Sequence, residues 1–360
     1  MSESRLYTII GLMSGTSMDG VDAAVLCTDG RDIIHPGATH FLRYDDAFRA
    51  QLRSVLGGAG DVGGAERGIT EWHIRAIEQL MDDNPGLYAE LDYIALHGHT
   101  ILHDPARKKT WQIGDAARMA QHFQCPVVHN FRARDVAMGG QGAPLVPVFH
   151  AALAAQLPKP AIFVNIGGVA NMTYIGADGG LLACDTGPGN ALIDDVMQRR
   201  FSRPHDEGGI IASSGSVQMD VLKQWLADPF FAAPPPKSLD RDHFKRFIQS
   251  TGKRMGDADM IATLAALTAH AIASIEGHLP NAPQRWTITG GGRHNRAIMA
   301  GLGELLPSVA AVESIGWDGD FIEAWAFAYL AARRVQNLPI SFPSTTGVPT
   351  PISGGEIAEA

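Results

Sequence analysis

The sequence predicts an α/β protein of two domains, each a mixed β-sheet flanked by helices and each opening on a glycine-rich turn. Three observations carry that expectation. The chain has 360 residues, 45% of them hydrophobic, and single cores stop growing near ~250–300 residues, so two cores are expected. Strand-like and helix-like segments follow one another in the first half, and the same order starts again after Gly139-Gly140-Gln141-Gly142. The glycines gather where strands end: 13 of the 40 lie in segments 11–20, 139–142, 167–171, 185–190 and 290–292.

The elements can be justified in order. Apolar runs Tyr7–Met13 and Asp22–Leu26 flank a polar glycine turn and read as a hairpin. Helical periodicity follows near 45–56 and over 66–82, where Ile69, Trp72, Ile74, Ile77 and Leu80 recur. A strand Tyr93–Leu96 stops at His97-Gly98-His99-Thr100; helix 115–123 leads into strand Val127–His129. The expected boundary falls there, with a first domain 1–138, with or without the tail 340–360, and a second domain 139–339. In the second, helix 147–156 precedes strand Ala161–Ile166, and strands 171–175 and 181–184 lead to Asp185-Thr186-Gly187-Pro188-Gly189-Asn190 and a helix to Phe201. Asp228–Asp242, with its three prolines 234–236, reads as a loop or lobe insertion, and Lys237–Phe247 as a solvated loop and helix. Helix 258–276, strand Trp286–Thr289, a helix from Asn295 and an apolar helix 320–334 complete the order.

Composition narrows the function. With 29 Lys+Arg against 38 Asp+Glu the net charge is −9, which gives no whole-molecule attraction to nucleic acid or anionic lipid. Cys27, Cys125 and Cys184 stand apart without CxxC spacing, against a disulfide framework or zinc knuckle and in keeping with a reducing compartment. The apolar stretch Leu6–Met13 is too short to span a membrane and no small-residue cleavage site follows it. The expectation is a soluble, cytoplasmic protein.

Several segments carry chemistry. The turn within Gly11–Asp22 offers backbone N–H groups and hydroxyls to one spot, as a phosphate needs; the alternative is an ordinary hairpin turn. Asn165–Asn171 is a second such turn, or a bulged hairpin, and Gly290–Gly292 a third, half of a dinucleotide fingerprint. Three such turns over two halves favour a nucleotide bound between domains. Asp185 is placed as a general base at a strand end or as a turn-forming Asp bonded to its own backbone. Glu323, the one acid in a helix that is otherwise apolar from Phe321 to Ala332, lines a cleft or complements the helix dipole. Arg132 and Arg134 are suited to an acidic substrate, or to a salt bridge with Asp135. His97, His99 and His103 lack a second ligand cluster, so hydrogen bonding is favoured over metal binding.

In their order, GLMSGTSMDG at Gly11–Gly20, FRARDVAMGGQGAPLVP at Phe131–Pro147, NIGGVANMTYI, DTGPGNALID, ITGGG and EAWAFAYLA closely resemble the motifs of the anhydro-N-acetylmuramic acid kinase family, over roughly residues 7 to 347. The resemblance implies the sugar kinase, heat-shock ATPase and actin superfamily, whose two domains close on ATP with the active site in the interdomain cleft. It implies that ATP, Mg²⁺ and water convert 1,6-anhydro-N-acetylmuramic acid to N-acetylmuramic acid 6-phosphate in peptidoglycan recycling. Asp185 is then the base and Glu323 assists at the sugar. Gly15, Thr16, Ser17, Met18, Asp19, Gly20, Val21, Asp22, Gly167, Gly168, Asn171, Gly290, Gly291 and Gly292 meet ATP. Ser14, His97, Thr100, Arg132, Arg134, Asp135, Gln141, Gly187, Gly189 and Asn190 meet the sugar, with either arginine at the lactyl carboxylate or the γ-phosphate. The metal ligands are left open, and the resemblance allows a homodimer. Two segments depart from the family pattern: His99 stands in place of glutamine, and Lys237–Asp242 reads KSLDRD in place of KSTGRE. The alternatives are a simple hexose or amino-sugar kinase and a non-catalytic ATP-driven clamp.

Overall fold

The apolar runs on either side of the first glycine turn form the expected hairpin. In the computed structural model, which describes residues 5–15, 17–32, 34–239, 243–251 and 255–360, β1 (Tyr7–Ser14) and β2 (Gly20–Thr28) pair antiparallel, with Tyr7 opposite Thr28 and Met13 opposite Asp22. β3 (Ile34–Arg43) adds antiparallel to β2. β4 (Tyr93–Asp104) lies parallel to β1, β5 (Lys109–Ile113) antiparallel to β4, and β6 (Val127–His129) parallel to β4. β1 is buried along almost its whole length because both faces of this sheet are covered. Ile10 and Leu12 point into a core shared with Ile69, Ile74, Ile77 and Leu80 of helix Val62–Asp82. Gly11, between them, points to the other face, where a Cβ would overlap the Ala324 carbonyl of helix Ile322–Val335. That helix sits directly on β1 because Gly11 has no side chain, and the Trp325 indole N–H donates to the Val25 carbonyl at 2.8 Å.

The second sheet runs from Val309–Ala311 at one edge through Arg285–Thr289, Ala161–Ile166 and Val169–Ile175 to Leu181–Pro188. β7 (Ala161–Ile166), β8 (Val169–Ile175) and β9 (Leu181–Pro188) form an antiparallel meander, and β10 (Arg285–Thr289) lies parallel to both β7 and β11 (Val309–Ala311). Ile162, Val164, Met172, Trp286 and Ile288 pack against Met260, Leu264 and Leu267 of helix Asp257–Ser274. Among the described residues, one helical stretch, Asp257–His278, is long and apolar enough to cross a membrane, and 67% of its most apolar window is buried in the protein. β12 (Glu356–Ala358) returns to the first sheet, antiparallel to β6.

The chain forms two compact units, residues 1–155 with 321–360, and residues 156–320. The division therefore lies 17 residues beyond the expected 138/139, and helix Ile322–Val335, expected in the second domain, belongs to the first unit through its seat on β1. Three further expectations are corrected, and two strands lie where none is expected. β4 does not stop at Leu96 but continues to Asp104, with Gly98 at φ 74° and an irregular register opposite β1. β9 continues through Asp185 to Pro188, so Asp185 lies inside a strand paired with β8. β3 and β5 were not anticipated. Finally, Lys237–Phe247 is no solvated loop: Phe244 and Phe247 are 1% and 8% exposed, and Phe247 stacks on Trp225 with ring centroids 5.5 Å apart. Apolar burial outweighs the basic character of this stretch; its residues 240–242 lie outside the described ones, as does Thr16 in the first turn.

Candidate active site

In the second unit the register brings polar residues into one row. Thr289 of β10 is opposite Asn165 of β7, Asn165 opposite Asn171 of β8, and Asn171 opposite Asp185 of β9; laterally paired residues share a sheet face. Asp185 is fixed at both ends. Its N–H donates to the Lys237 carbonyl at 3.0 Å and its Oδ2 accepts the Leu239 N–H at 2.7 Å. Burial pushes its carboxyl up to about 6, and the Leu239 N–H opposes that rise. The Lys237 ammonium does not neutralise it, being held at the Phe230 carbonyl at 3.0 Å and over the Phe230 ring at 4.7 Å. The result is a carboxylate with one oxygen anchored and a proton affinity near neutrality.

The glycine turns flanking this row are braced from behind. The Gly167 carbonyl accepts the Asn190 N–H at 2.8 Å and the Gly168 carbonyl accepts the N–H groups of Gly189 and Ala191 at 3.0 and 3.2 Å. The Asn190 side chain adds donors to the Ile166 and Gly167 carbonyls at 3.1 and 3.3 Å. Gly187 and Gly189 leave no room for a side chain, facing Ala271 and Phe231 in one case and the Gly167 carbonyl in the other. Of the three residues expected at the sugar, Gly189 and Asn190 thus brace the Gly167–Gly168 turn, and Gly187 packs against Ala271 and Phe231. Gly290–Gly292 follows β10, its first Cα tight against Asn165 Oδ1.

In the first unit, the turn after β1 is closed by the Met18 N–H donating to the Gly15 carbonyl at 3.1 Å, with Met18 itself at φ 55°. Met18 and Val21, expected at ATP, turn their side chains into the core at 6% and 0% exposure, which leaves only their backbone for a ligand. Ser17 Oγ donates to the exposed Asp19 carboxylate at 2.7 Å, and Gly20 pairs with Arg43 at the start of β2, two residues before Asp22. Behind the turn, Ser14 Oγ accepts the Tyr44 hydroxyl at 2.8 Å and lies 3.0 Å from His99 Nδ1, whose ring burial holds at about 4.

Arg132 and Arg134 part company. His97 Nδ1–H donates to the Gly98 carbonyl at 2.8 Å, so its Nε2 is bare and accepts Arg132 Nε–H at 3.0 Å. Burial first, and the Arg132 charge second, hold His97 well below its ordinary value, which keeps it neutral. Arg132 Nη1 donates to the Gly142 carbonyl at 2.8 Å, and Glu323, half-buried in the first turn of its helix, is close enough to feel its charge. Burial raises the Glu323 carboxyl above the usual range and Arg132 opposes the rise. Arg134 is exposed and reaches Ser353 Oγ at 3.3 Å. The salt bridge with Asp135 is not the arrangement found: Asp135, 1% exposed, accepts the Gly142 N–H and the Thr346 hydroxyl, each at 2.6 Å. With the Gln141 N–H on the Thr346 carbonyl at 2.7 Å, Asp135 organises the loop that contains Gln141. Thr100 Oγ1 accepts Gln112 Nε2–H at 3.2 Å, and Gln112, His97, Trp111, His129 and Asn130 line a concavity of about 280 Å³. Asn165 enters the sequence expectations only as the first residue of the second turn, and neither Tyr44, beside Ser14, nor Leu239, at Asp185, is expected from the sequence. Asn165 had a signal, a polar residue closing the apolar strand Ala161–Ile166, whereas Tyr44 and Leu239 are set by tertiary packing.

Two α/β units with mixed sheets, glycine turns at the strand ends and a half-buried carboxylate that meets no cation among the described residues define a protein of the sugar kinase and actin-like fold class. In keeping with that fold, the (R)-2-hydroxyglutaryl-CoA dehydratase component A of Acidaminococcus fermentans superposes with a TM-score of 0.50 at 12% identity, over 92% of this chain and 99% of that one. The chain belongs to the anhydro-N-acetylmuramic acid kinase family, whose sequence model matches residues 7–360. Among its relatives, the anhydro-N-acetylmuramic acid kinase of Acidiphilium cryptum (strain JF-5) is 47% identical over 349 residues, covering 97% of each chain. That of Rhodopseudomonas palustris (strain BisB18) is 47% identical over 365 residues, 98% of this chain and 99% of the relative. That of Gluconobacter oxydans (strain 621H) is 46% identical over 358 residues, 96% of this chain and 98% of the relative.

Proposed function

We propose that the protein is an ATP-dependent kinase that opens 1,6-anhydro-N-acetylmuramic acid with water and phosphorylates O6, yielding N-acetylmuramic acid 6-phosphate and ADP. The observation that carries the mechanism is Asp185: half-buried, without a cation partner among the described residues, anchored through one oxygen and pushed up to about 6. Ordinary glycoside cleavage needs an acid on the leaving oxygen and a base on the water. In the anhydro-sugar the leaving oxygen is O6 of the same ring. Asp185 removes a proton from water as its oxygen bonds to C1; the electron pair of the C1–O6 bond passes to O6, which takes the γ-phosphoryl group as ADP departs. The phosphoryl group thus replaces the proton of a general acid, and one carboxylate base suffices.

The remaining roles fall to each unit separately. Arg132, oriented by neutral His97 and the Gly142 carbonyl, takes the lactyl carboxylate, which its exposed neighbour Arg134 does not. Glu323 sits beside that charge and assists at the sugar, with Ser14 and Thr100. The turns at 15–22, 167–171 and 290–292 offer N–H groups to ATP, since phosphoryl transfer asks for positioning and charge neutralisation. Mg²⁺ commonly takes one or two carboxylates together with phosphate and water. The exposed Asp19, oriented by Ser17, is a donor of that kind, and no group of three His, Cys, Asp or Glu gathers among the described residues. When bound, the ion neutralises phosphate charge. The need for ATP places the reaction in the cytoplasm.

Incubation with Mg-ATP and 1,6-anhydro-N-acetylmuramic acid in ¹⁸O-water tests the reading. A 6-phosphorylated, ring-opened product with ¹⁸O at C1 is expected. ATP-dependent phosphorylation of free N-acetylmuramic acid but not of the anhydro-sugar would mark a simple sugar kinase, and no phosphorylation of either would mark a clamp; each result overturns the proposal.

A further inference from the structure

The turn Gly290–Gly292 has an unusual support. Gly290 stands at φ 73° and ψ 170°, a region open essentially to glycine alone, with Asn165 Oδ1 and the Ile166 carbonyl against its Cα. Its carbonyl accepts two hydrogen bonds from a single residue: the Arg293 N–H at 3.2 Å and Arg293 Nη1–H at 3.1 Å. The Arg293 side chain is 3% exposed. Its Nε–H donates to Glu313 Oε1 at 2.7 Å, Nη1–H also to Asp320 Oδ1 at 2.9 Å, and Nη2 lies 3.8 Å from Asp318 Oδ1. The Gly319 N–H joins Glu313 Oε1 at 3.1 Å, and a side chain at 319 would overlap the guanidinium. Three carboxylates and a close-packed backbone thus fix one cation, which in turn fixes one carbonyl.

A buried ion pair contributes little net stability by itself, so the consequence of this cluster is geometric. The peptide unit is planar and trans, which sets the C=O of one residue opposite to the N–H of the next. With the Gly290 oxygen drawn toward Arg293, the Gly291 N–H faces the other way. Gly291 is exposed, and nothing lies within 4 Å of where a Cβ would stand. We infer that Arg293 is a positioning residue for the nucleotide: holding the Gly290 carbonyl inward presents the Gly291 N–H outward to an ATP oxygen. This rests on the assignment of the 290–292 turn to ATP and adds to it the group that sets its direction. Glu313, Asp318 and Asp320 act one step further back, by keeping the guanidinium in place.

The test compares Arg293→Lys, Asp320→Asn and Gly291→Val by steady-state kinetics with Mg-ATP and the anhydro-sugar. Arg293→Lys keeps a charge among the acids but lacks the fork that reaches both Gly290 and Asp320. It is expected to raise the KM for ATP about tenfold, the worth of one oriented donor, with a smaller change in kcat and none in the KM for the sugar. Asp320→Asn, a half-exposed site whose substitution leaves the core intact, gives a smaller rise in the same parameter. Gly291→Val fills open space where ATP would lie and raises the KM for ATP regardless of Arg293. If Gly291→Val raises it and neither Arg293→Lys nor Asp320→Asn does, the inference about Arg293 is wrong and the ATP assignment stands. If all three leave it unchanged, the assignment itself fails. A loss of affinity for ATP and sugar alike would make Arg293 merely structural.

Discussion

A carboxylate that titrates near 6 pulls stability and activity in opposite directions, and Asp185 exposes both to measurement. Its folded value lies above the ordinary 3.8, so the native state holds a proton that the unfolded chain has already released between about pH 4 and 6. Stability therefore falls as pH rises through that window and stays reduced above it. Asp185→Asn removes the half-buried charge while an amide oxygen can still accept the Leu239 N–H. It is expected to gain ~1–2 kcal/mol at pH 8 in urea unfolding and nothing near pH 4, while turnover drops by about three orders of magnitude. In the wild type kcat/KM should fall tenfold per pH unit below about 6, where the base is protonated; a flat acid limb, or a variant with near wild-type turnover, rules Asp185 out. The two arginines give a second contrast. Arg132→Lys loses the planar fork and should raise the KM for the sugar ~10–100-fold with the KM for ATP unmoved, whereas Arg134→Lys should change neither more than about twofold; equal effects would refute the division of roles. Asp185 was legible because an apolar strand runs into Asp-Thr-Gly-Pro. Its anchor was not, since the choice of the Leu239 N–H, 54 positions away, belongs to packing and leaves no local trace.

Strands declared themselves wherever an apolar run was bounded by turn residues, as in β1, β2, β7 and β10, and failed to where other forces decide. β3 reads Ile-His-Pro-Gly-Ala-Thr-His-Phe-Leu-Arg; its proline and glycine look like turn chemistry, yet at a sheet edge a proline is tolerated. β9 swallows Asp185–Pro188 because cross-strand pairing with β8 overrides local turn preference. β4 carries the largest hidden chemical load, placing His97 and His99 inside the unit near His73 of helix Val62–Asp82, where burial holds both His73 and His99 at about 4. A histidine with a folded value below 6.5 stays neutral in the native state while the unfolded chain charges first. Its penalty is absent above pH 6.5 and grows as pH falls toward 4. Each of the two should cost roughly 1–2 kcal/mol at pH 5. Urea midpoints at pH 7.5 and 5 would read this, and His73→Leu should flatten the slope. An unchanged slope would mean that these rings take up their protons as readily in the native state as in the unfolded chain.

At the scale of the whole chain, residues 156–320 are a continuous segment whose core residues, from Ile162 to Leu306, lie within it. Expressed alone, this segment should fold cooperatively and keep the buried fluorescence of Trp225 and Trp286; a non-cooperative melt with solvent-like emission would show that it depends on the rest. Segments 1–155 and 321–360 have no such independence. The repeated order of elements made two α/β units legible, but the return of helix Ile322–Val335 to the first unit was not, because it depends on which sheet face has a gap that fits. That gap is Gly11, the bare Cα on which helix Ile322–Val335 rests. On the ribosome this has a consequence in time. The floor of the first unit emerges with residue 11, while its lid is more than 300 residues behind. Throughout the making of the second unit, one apolar sheet face of the nascent chain waits uncovered, and the moment of greatest exposure to aggregation, or to a chaperone, comes just before helix Ile322–Val335 emerges.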